Sequence, residues 1–169
     1  TLTGTTTVRN GTLQVATSRG LAASPLRILA GGTLTGTGTS PLAVAGLAVA
    51  ASGLVDLGGG SLSIGPQGIA AADLTEALRI GRGSGDWNSG AGITSTAVAA
   101  AVAAGTPRAL GWLAAGDGSI VVSVAAPGDT NLDGVVDVLD VANVMASGLF
   151  DAGSGGSWAS GDVNYDGLI

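Results

Sequence analysis

The sequence lacks several residue types on which common protein chemistry depends. It contains no cysteine, no histidine and no lysine, so all six of its basic residues are arginines. The absence of cysteine excludes disulfides, zinc–thiolate sites and cysteine nucleophiles. The absence of histidine removes catalytic triads, histidine general bases and most transition-metal sites in their usual forms. Because no paired acid–base site stands out either, we expect a protein that is not an enzyme.

Charged and aromatic residues are also scarce. Charged residues make up 11% of the chain and aromatic residues 3%, whereas glycines number 31. The usual charged fraction is about a quarter. The apolar content is therefore mostly Ala, Val and Leu, which build a thin core. The Ala-rich run at 93–104 is too short and too weakly apolar to cross a bilayer, so no membrane span is expected.

Acidic residues are concentrated at the carboxyl-terminal end. Seven of the twelve lie from Asp129 onward, and no basic residue accompanies them there. This asymmetry fits metal binding. It argues against a nucleic-acid partner, which needs basic contacts to phosphate.

The segment 129–140 has the pattern of a calcium-binding loop. Oxygen-bearing side chains occupy the first, third, fifth, ninth and twelfth positions, Gly134 provides the sharp turn at the sixth, and the seventh offers a backbone carbonyl. Four carboxylates so close together repel one another unless a cation lies among them. The candidate Ca2+ ligands are Asp129, Asn131, Asp133, Val135, Asp137 and Asp140. The alternative is an Asp/Asn/Gly turn that precedes a helix.

A second copy of the loop begins at Asp162. Its first, third and fifth positions are Asp162, Asn164 and Asp166, and Leu168 offers the backbone carbonyl of the seventh. The sequence ends before the ninth and twelfth positions. We therefore expect weaker calcium binding here, with the shell completed by another chain, a continuation of this one, or water.

The segment 1–65 alternates apolar residues with Thr, Ser and Gly, which predicts β-strands. Within it, the segments 11–13, 32–34 and 53–55 resemble one another at a constant interval along the chain. A period near 20 in a turn-rich segment indicates a β-solenoid, in which the inward aliphatic side chains of successive coils stack. The alternative is an ordinary antiparallel sandwich.

The upstream end of this strand-rich part bears on assembly. We see no polar capping segment before Thr1, and strand backbone without partners pairs readily with another chain. A head-to-tail contact of this kind does not close on itself and propagates into a fibre. The dense threonines from Thr1 to Thr7 are candidate O-glycan sites. Asn10-Gly11-Thr12 is either an N-glycosylation acceptor or a tight hairpin turn.

The composition changes after residue 65. Residues 66–126 predict an α+β connecting region. It contains a short helix at 71–79, an Ala-rich helix capped by Thr94 or Thr96, and a carboxyl-terminal hairpin around the turn at 116–119.

The remaining residues, 127–169, form the calcium-binding tail. After the first loop, apolar residues recur at spacings of three and four, which predicts a helix with one apolar stripe. We expect this stripe to dock the second loop, with Phe150 and Trp158 sealing the joint. The stripe consists of Val138, Val141, Ala142, Val144, Met145 and Leu149.

Segments 128–134, 137–140 and 161–167 resemble dockerin type I repeats, in which a calcium loop is followed by one helix and no helix precedes it. With the strand-like segments 4–8 and 11–15, the chain is most similar to the end of planctomycete-type bacterial surface proteins. Those proteins carry autotransporter-associated β-strand repeats ahead of a dockerin-like tail. The resemblance implies a mainly β, solenoid-like first part and an F-hand, EF-hand-like calcium tail. It also implies a cohesin-type or cell-envelope partner, contacted by Val138, Leu139 and Met145.

Two functional hypotheses follow. The first is an extracellular structural glycoprotein of the bacterial surface, a calcium-stabilised subunit of a filament, sheath or surface layer that assembles head-to-tail as a homopolymer. The alternative is a dockerin-like module that tethers the protein to a cohesin-type partner or to the cell envelope. Low charge and the absence of lysine and cysteine favour an extracellular or cell-surface location. Weak calcium loops favour it too, since free calcium is abundant outside the cell.

Overall fold

The described part of the chain contains eleven strands and three α-helices, so it is rich in sheet and has few helices. In a computed structural model, residues 2–16, 21–37, 39–66, 68–153 and 155–169 are described. The strands are β1 (Thr6–Val8), β2 (Gly11–Val15), β3 (Pro25–Ile28), β4 (Gly32–Gly36), β5 (Leu42–Val44), β6 (Gly46–Val49), β7 (Leu54–Asp56), β8 (Leu62–Ile64), β9 (Gly92–Thr94), β10 (Ala109–Ala114) and β11 (Ile120–Ala125). The helices are α1 (Ala71–Arg82), α2 (Thr96–Ala103) and α3 (Val138–Ala146).

Two of the three sheets are parallel. Strands β1, β3 and β6 form one sheet, and β2, β4, β7 and β9 form a second. In the second sheet Thr12 pairs with Thr33, and Thr33 pairs with Leu54. Both pairings join residues that are the same number of positions apart in the sequence. The third sheet has the order β10-β11-β8-β5, with β5 and β8 parallel and the β10–β11 hairpin antiparallel. The repeat interval seen in the sequence is thus the pairing register of neighbouring strands.

Aliphatic side chains stack in register on the inner faces of these sheets. Leu13 pairs with Leu34, Leu34 with Val55, and Val55 with Ile93. The last three are fully buried. Side chains of a strand alternate between its two faces, so the residues between them point outward. Burial of such apolar ladders supplies the main favourable term in folding.

A turn that recurs at the same interval joins the first sheet to the second. The amides of Gly32 and Gly53 donate to the carbonyl oxygens of Leu29 (2.9 Å) and Ala50 (2.8 Å) in the same way. A β-carbon at Gly53 would lie 2.9 Å from the carbonyl oxygen of Ile28, the last residue of β3, which leaves no room for a larger residue. The turn at Asn10-Gly11 joins β1 of the first sheet to β2 of the second, so it does not form a hairpin.

Helix α1 covers the downstream end of the second sheet. A β-carbon at Gly81 would overlap the carbonyl oxygen of Ile93, so the helix lies directly against β9. In the first sheet, the amide of Leu47 in β6 donates to the carbonyl of Gly68 (2.8 Å). At the opposite, upstream end, β1 and β2 are the edge strands of their sheets. The two ends of the stack therefore differ, because only the downstream one is covered by described residues.

Ser95 caps helix α2, so the prediction of a cap at Thr94 or Thr96 is wrong. The Ser95 hydroxyl accepts a backbone N–H of the first helical turn at 3.1 Å. The Thr94 hydroxyl instead donates to the carbonyl of Trp87, and the amide of Thr96 donates to the buried carboxylate of Asp56 (2.9 Å). No helix among the described residues combines the length and apolar character needed to cross a membrane.

Candidate metal centre

The first predicted loop connects β11 to α3 and winds around the carboxylate of Asp129. This side chain is 1% exposed, and it accepts the backbone N–H groups of Asp133 (3.1 Å) and Gly134 (3.0 Å). Leu132 and Gly134 have φ values of 57° and 91°, in the left-handed region that lets the chain turn sharply. A leucine in that region is unusual, so the loop holds it there through these hydrogen bonds.

The second predicted loop repeats this winding. The carboxylate of Asp162, also 1% exposed, accepts the N–H groups of Asp166 (3.2 Å) and Gly167 (2.9 Å). Tyr165 and Gly167 have φ values of 63° and 83°. The amide oxygen of Asn164 accepts the Asp166 N–H at 2.9 Å. In the first loop, the amide oxygen of Asn131 accepts the Asp133 N–H at the same distance. The two loops therefore share one backbone conformation.

The middle positions of both loops are solvent-exposed. In the first loop, the Asn131 amide donates to the Asp133 carboxylate (2.8 Å), which also accepts the Val135 N–H (2.9 Å). The corresponding contacts of the second loop have the same lengths, with Asp166 accepting from Asn164 and Leu168. The seventh-position residues, Val135 and Leu168, are 58% and 51% exposed.

The ninth and twelfth positions of the first loop cap helix α3. The Asp137 carboxylate accepts the Leu139 N–H (2.7 Å), and the buried Asp140 carboxylate accepts the Asp137 N–H (2.8 Å). Asp140 also accepts the backbone N–H (2.7 Å) and hydroxyl (2.9 Å) of Thr130. The Asp137 N–H, with smaller contributions from Thr130, lowers the pKa of Asp140 below its ordinary value.

Thr130 and Asn143 belong to this network although the loop pattern does not include them. The Thr130 side chain is 1% exposed, and its hydroxyl accepts the side-chain amide of Asn143 at 3.1 Å. Position two of a calcium loop has no ligand role, so the ligand spacing carries no signal for Thr130. The i, i+3 spacing of Asp140 and Asn143 does put them on one helix face, which is the available clue.

An aromatic cluster holds the tail against the sheets. Trp158 is fully buried, and its indole N–H donates to the carbonyl of Asp129 at 2.7 Å. Its ring stacks on Tyr165 with centroids 6.1 Å apart, and Trp87 meets Tyr165 edge-on at 6.4 Å. The Tyr165 hydroxyl donates to the carbonyl of Leu110 in β10, and burial raises the pKa of Tyr165. The two loops are thus joined to each other and to β10 through buried aromatic side chains.

The prediction that the apolar stripe of α3 docks the second loop is wrong for most of its residues, because, of the described stripe residues, only Val144 lies against the start of that loop. Val138, Met145 and Phe150 are 75%, 62% and 63% exposed, so only Trp158 of the predicted pair seals the joint. The reason is the buried carboxylate of Asp140, which needs the N–H donors around it and so fixes the rotation of the helix. Its inner face then includes Asp140, Asn143 and one residue of the stripe, Val144, which lies against Gly161, whereas Val138, Val141 and Met145 point outward.

The donor types fit a hard divalent cation, but the carboxylates do not converge. All side-chain donors of both loops are oxygens, and the tail has no basic residue to neutralise its seven acidic ones. Within the part of the chain that the structure describes, however, no three acidic side chains lie close enough together to hold a metal ion. Asp129 and Asp140 are instead directed toward backbone N–H groups.

Comparisons with protein-family models, with curated proteins and with solved structures found no match to this chain.

Proposed function

We propose that the chain is a non-enzymatic structural protein of a bacterial surface, in which a β-solenoid is stabilised by a calcium-binding, dockerin-like tail. The observation that carries this proposal is the in-register stacking of parallel strands at a constant interval along the chain. Recurrent turns and aliphatic ladders accompany the stacking. An architecture of this kind builds length from a repeated unit, which suits a fibre, sheath or surface layer outside the cell.

Charge supports head-to-tail assembly of such subunits. Before Asp56 the only charged side chains in the sequence are arginines, and from Asp129 onward they are all carboxylates. Arg9 and Arg27 are exposed near the upstream strand edge. Opposite charge at the two ends favours contacts between unlike ends over contacts between like ends. Because α1 covers β9, the downstream partner surface would be the acidic tail and not a strand edge.

Calcium would act in this protein by neutralising the tail. The residues that would hold it are Asp129, Asn131, Asp133, Asp137, Asp140 and the Val135 carbonyl, with Asp162, Asn164, Asp166 and the Leu168 carbonyl forming a weaker second site. A bound divalent cation supplies positive charge that offsets carboxylate repulsion, and binding to the folded state alone adds stability that grows with ion concentration. Convergence of the carboxylates would accompany binding, since they are apart in the structure.

Glycans on threonine belong to the same proposal. Thr3, Thr5 and Thr7 are exposed at the upstream end and accessible to modification. Thr1, also a predicted site, lies outside the described residues.

Calcium titration of matched variants tests the metal proposal. Asp129→Asn should weaken calcium binding about tenfold or more, because ligand charge sets the affinity of such loops. Asp151→Asn removes the same charge from the tail outside both loops and should bind as the parent does. Electron microscopy of the assembled material with calcium and with chelator tests the assembly: fibres should shorten or disperse in chelator. Dispersed monomers under both conditions would contradict a structural polymer.

The exposed helix α3 favours a second candidate function, a dockerin-like module that tethers the chain to a cohesin-type partner or to the cell envelope. Val138, Leu139 and Met145, which the resemblance marks as contacts, are 75%, 56% and 62% exposed. A contiguous exposed apolar surface on a soluble protein commonly marks an interaction site. Deletion of residues 1–7 should abolish fibre growth and leave tethering intact. Met145→Asp should abolish tethering, whereas Val121→Asp on the exposed side of β11 should not.

A further inference from the structure

A cleft of about 350 Å3 lies where four segments of the chain meet. They are the end of α1, the end of α2 with the segment leading into β10, Pro127 between β11 and the first loop, and the second loop. The lining includes Arg82, Thr106, Arg108, Pro127 and Asn164. Volumes of this order are typical of small-ligand sites. Neither the calcium loops nor the strand stack explains why two arginines face this space.

The two arginines lack an acidic partner within the described residues. The single ion pair there joins Arg79 to Glu76 at 2.7 Å. Arg82 is half-buried at the last position of α1, and Arg108 is exposed immediately before β10. The chain has twelve acidic residues and six basic ones, so carboxylates outnumber guanidinium groups two to one. Two guanidinium groups on one cleft without an ion pair are therefore a local excess of positive charge.

The chemistry of the lining selects the class of ligand. A guanidinium group donates two parallel hydrogen bonds to a carboxylate, which gives both affinity and orientation. The Thr106 hydroxyl is suited to hydroxyl groups, while Val102 and Pro127 offer apolar surface; the Asn164 amide is engaged by Asp166 within the second loop. A sugar acid carries a carboxylate, hydroxyl groups and C–H faces on one ring. Trp87 also lines the cleft but is 2% exposed, so charge and hydrogen bonds would dominate recognition over ring stacking.

We propose that this cleft binds the carboxylate of an acidic saccharide, with Arg82 and Arg108 as the ligand-binding residues. The proposal goes beyond the structural function above, since it requires neither fibre assembly nor a tethering partner. It gives the protein a direct contact with an acidic polysaccharide such as those built from uronic acids.

Isothermal titration calorimetry of the full chain in calcium-containing buffer tests the proposal with a short oligouronate as the probe. Binding should be measurable at millimolar probe and should fall with added salt. Arg82→Gln and Arg108→Gln should each weaken it about tenfold, as expected for loss of a charge-assisted hydrogen bond. Arg79→Gln is the matched control on α1, because Arg79 does not line the cleft, and it should bind as the parent does.

Parallel titrations separate the chemical classes. A neutral oligosaccharide of the same length and inorganic phosphate should each bind at least about tenfold more weakly than the oligouronate. Equal binding of the neutral sugar, tighter binding of an oligoglutamate peptide, or an equal loss in Arg79→Gln would each overturn the proposal. Because Arg108 is exposed, Arg108→Gln should keep the parental thermal unfolding midpoint, and its binding decides the outcome if Arg82→Gln does not fold.

Discussion

Replacement of Trp158 tests whether the aromatic cluster joins the tail to the sheets. Trp158→Ala removes a fully buried ring that stacks on Tyr165 and an indole N–H that donates to the Asp129 carbonyl. Truncation of a packed tryptophan costs about 3–5 kcal/mol of unfolding free energy. Within that sum, the stacking contributes about 0.5–1.5 kcal/mol and the hydrogen bond a similar amount.

The expected change in the melting temperature follows from chain length. For a protein of 169 residues, about 1 kcal/mol moves the unfolding midpoint by roughly 2–4 °C. Trp158→Ala should therefore lower the midpoint by roughly 6–20 °C. Trp158→Phe retains an apolar ring for the stack but leaves the Asp129 carbonyl without its donor, so it should fall between the parent and Trp158→Ala.

Thermal unfolding followed by circular dichroism in chelator is the appropriate assay, because bound calcium would add stability of its own. Phe150→Ala is the control, since Phe150 is a tail aromatic that is 63% exposed and should change stability by no more than about 0.5 kcal/mol. If Trp158→Ala lowers the midpoint no more than Phe150→Ala does, the tail is not held through this cluster and the argument for coupled loops is refuted.

Three further predictions test the packing around this joint and the caps. Gly111→Ala would place a β-carbon 2.6 Å from the indole nitrogen of Trp158 and should destabilise the fold by about 1–3 kcal/mol, whereas Gly116→Ala, with open space around it, should be tolerated in the same thermal assay. Burial raises the pKa of Tyr165 in the folded protein above its ordinary value of about 10. The buried, protonated side chain therefore contributes fully to the free energy of unfolding below about pH 10, and this contribution is lost as the pH rises from there toward the folded pKa. Tyrosinate absorbance of this single tyrosine should therefore appear only with unfolding, and Tyr165→Phe should remove the alkaline dependence; ionisation without unfolding would contradict its burial. Ser95→Ala removes the cap of α2 and should cost about 1 kcal/mol in urea unfolding, with an unchanged midpoint counting against the cap.

Local patterns in the sequence were sufficient where the structure depends on spacing. The repeat at 11–13, 32–34 and 53–55 predicts which strands lie side by side, because stacked strands must present equivalent residues at equivalent positions. The glycine at the sixth position of each loop, together with the acidic residues around it, likewise predicts where the chain turns sharply. Both inferences need only the order of residues along the chain.

The orientation of α3 could not be predicted in this way. Periodicity identifies which residues share a helix face, but it does not say which face is buried, and hydrophobicity suggested the wrong one. A single carboxylate, Asp140, decides the rotation, since its three backbone and hydroxyl donors come from Thr130 and Asp137. Strand β9 was also missed, because it joins β7 across an intervening helix, and Leu54 pairs with Gly92 at a separation well beyond the repeat interval.

The constant pairing interval also determines how the molecule would respond to mechanical tension. Neighbouring strands are about 4.8 Å apart, whereas the interval of about 21 residues between paired positions spans roughly 70 Å when drawn out. A pull on the upstream end would therefore detach one turn of chain at a time, each rupture releasing about 65 Å of slack before the next ladder bears load. Buried aromatic rings join the carboxyl-terminal tail to β10, so that end of the protein would stay folded. The protein would therefore lengthen in discrete increments and dissipate energy at each one.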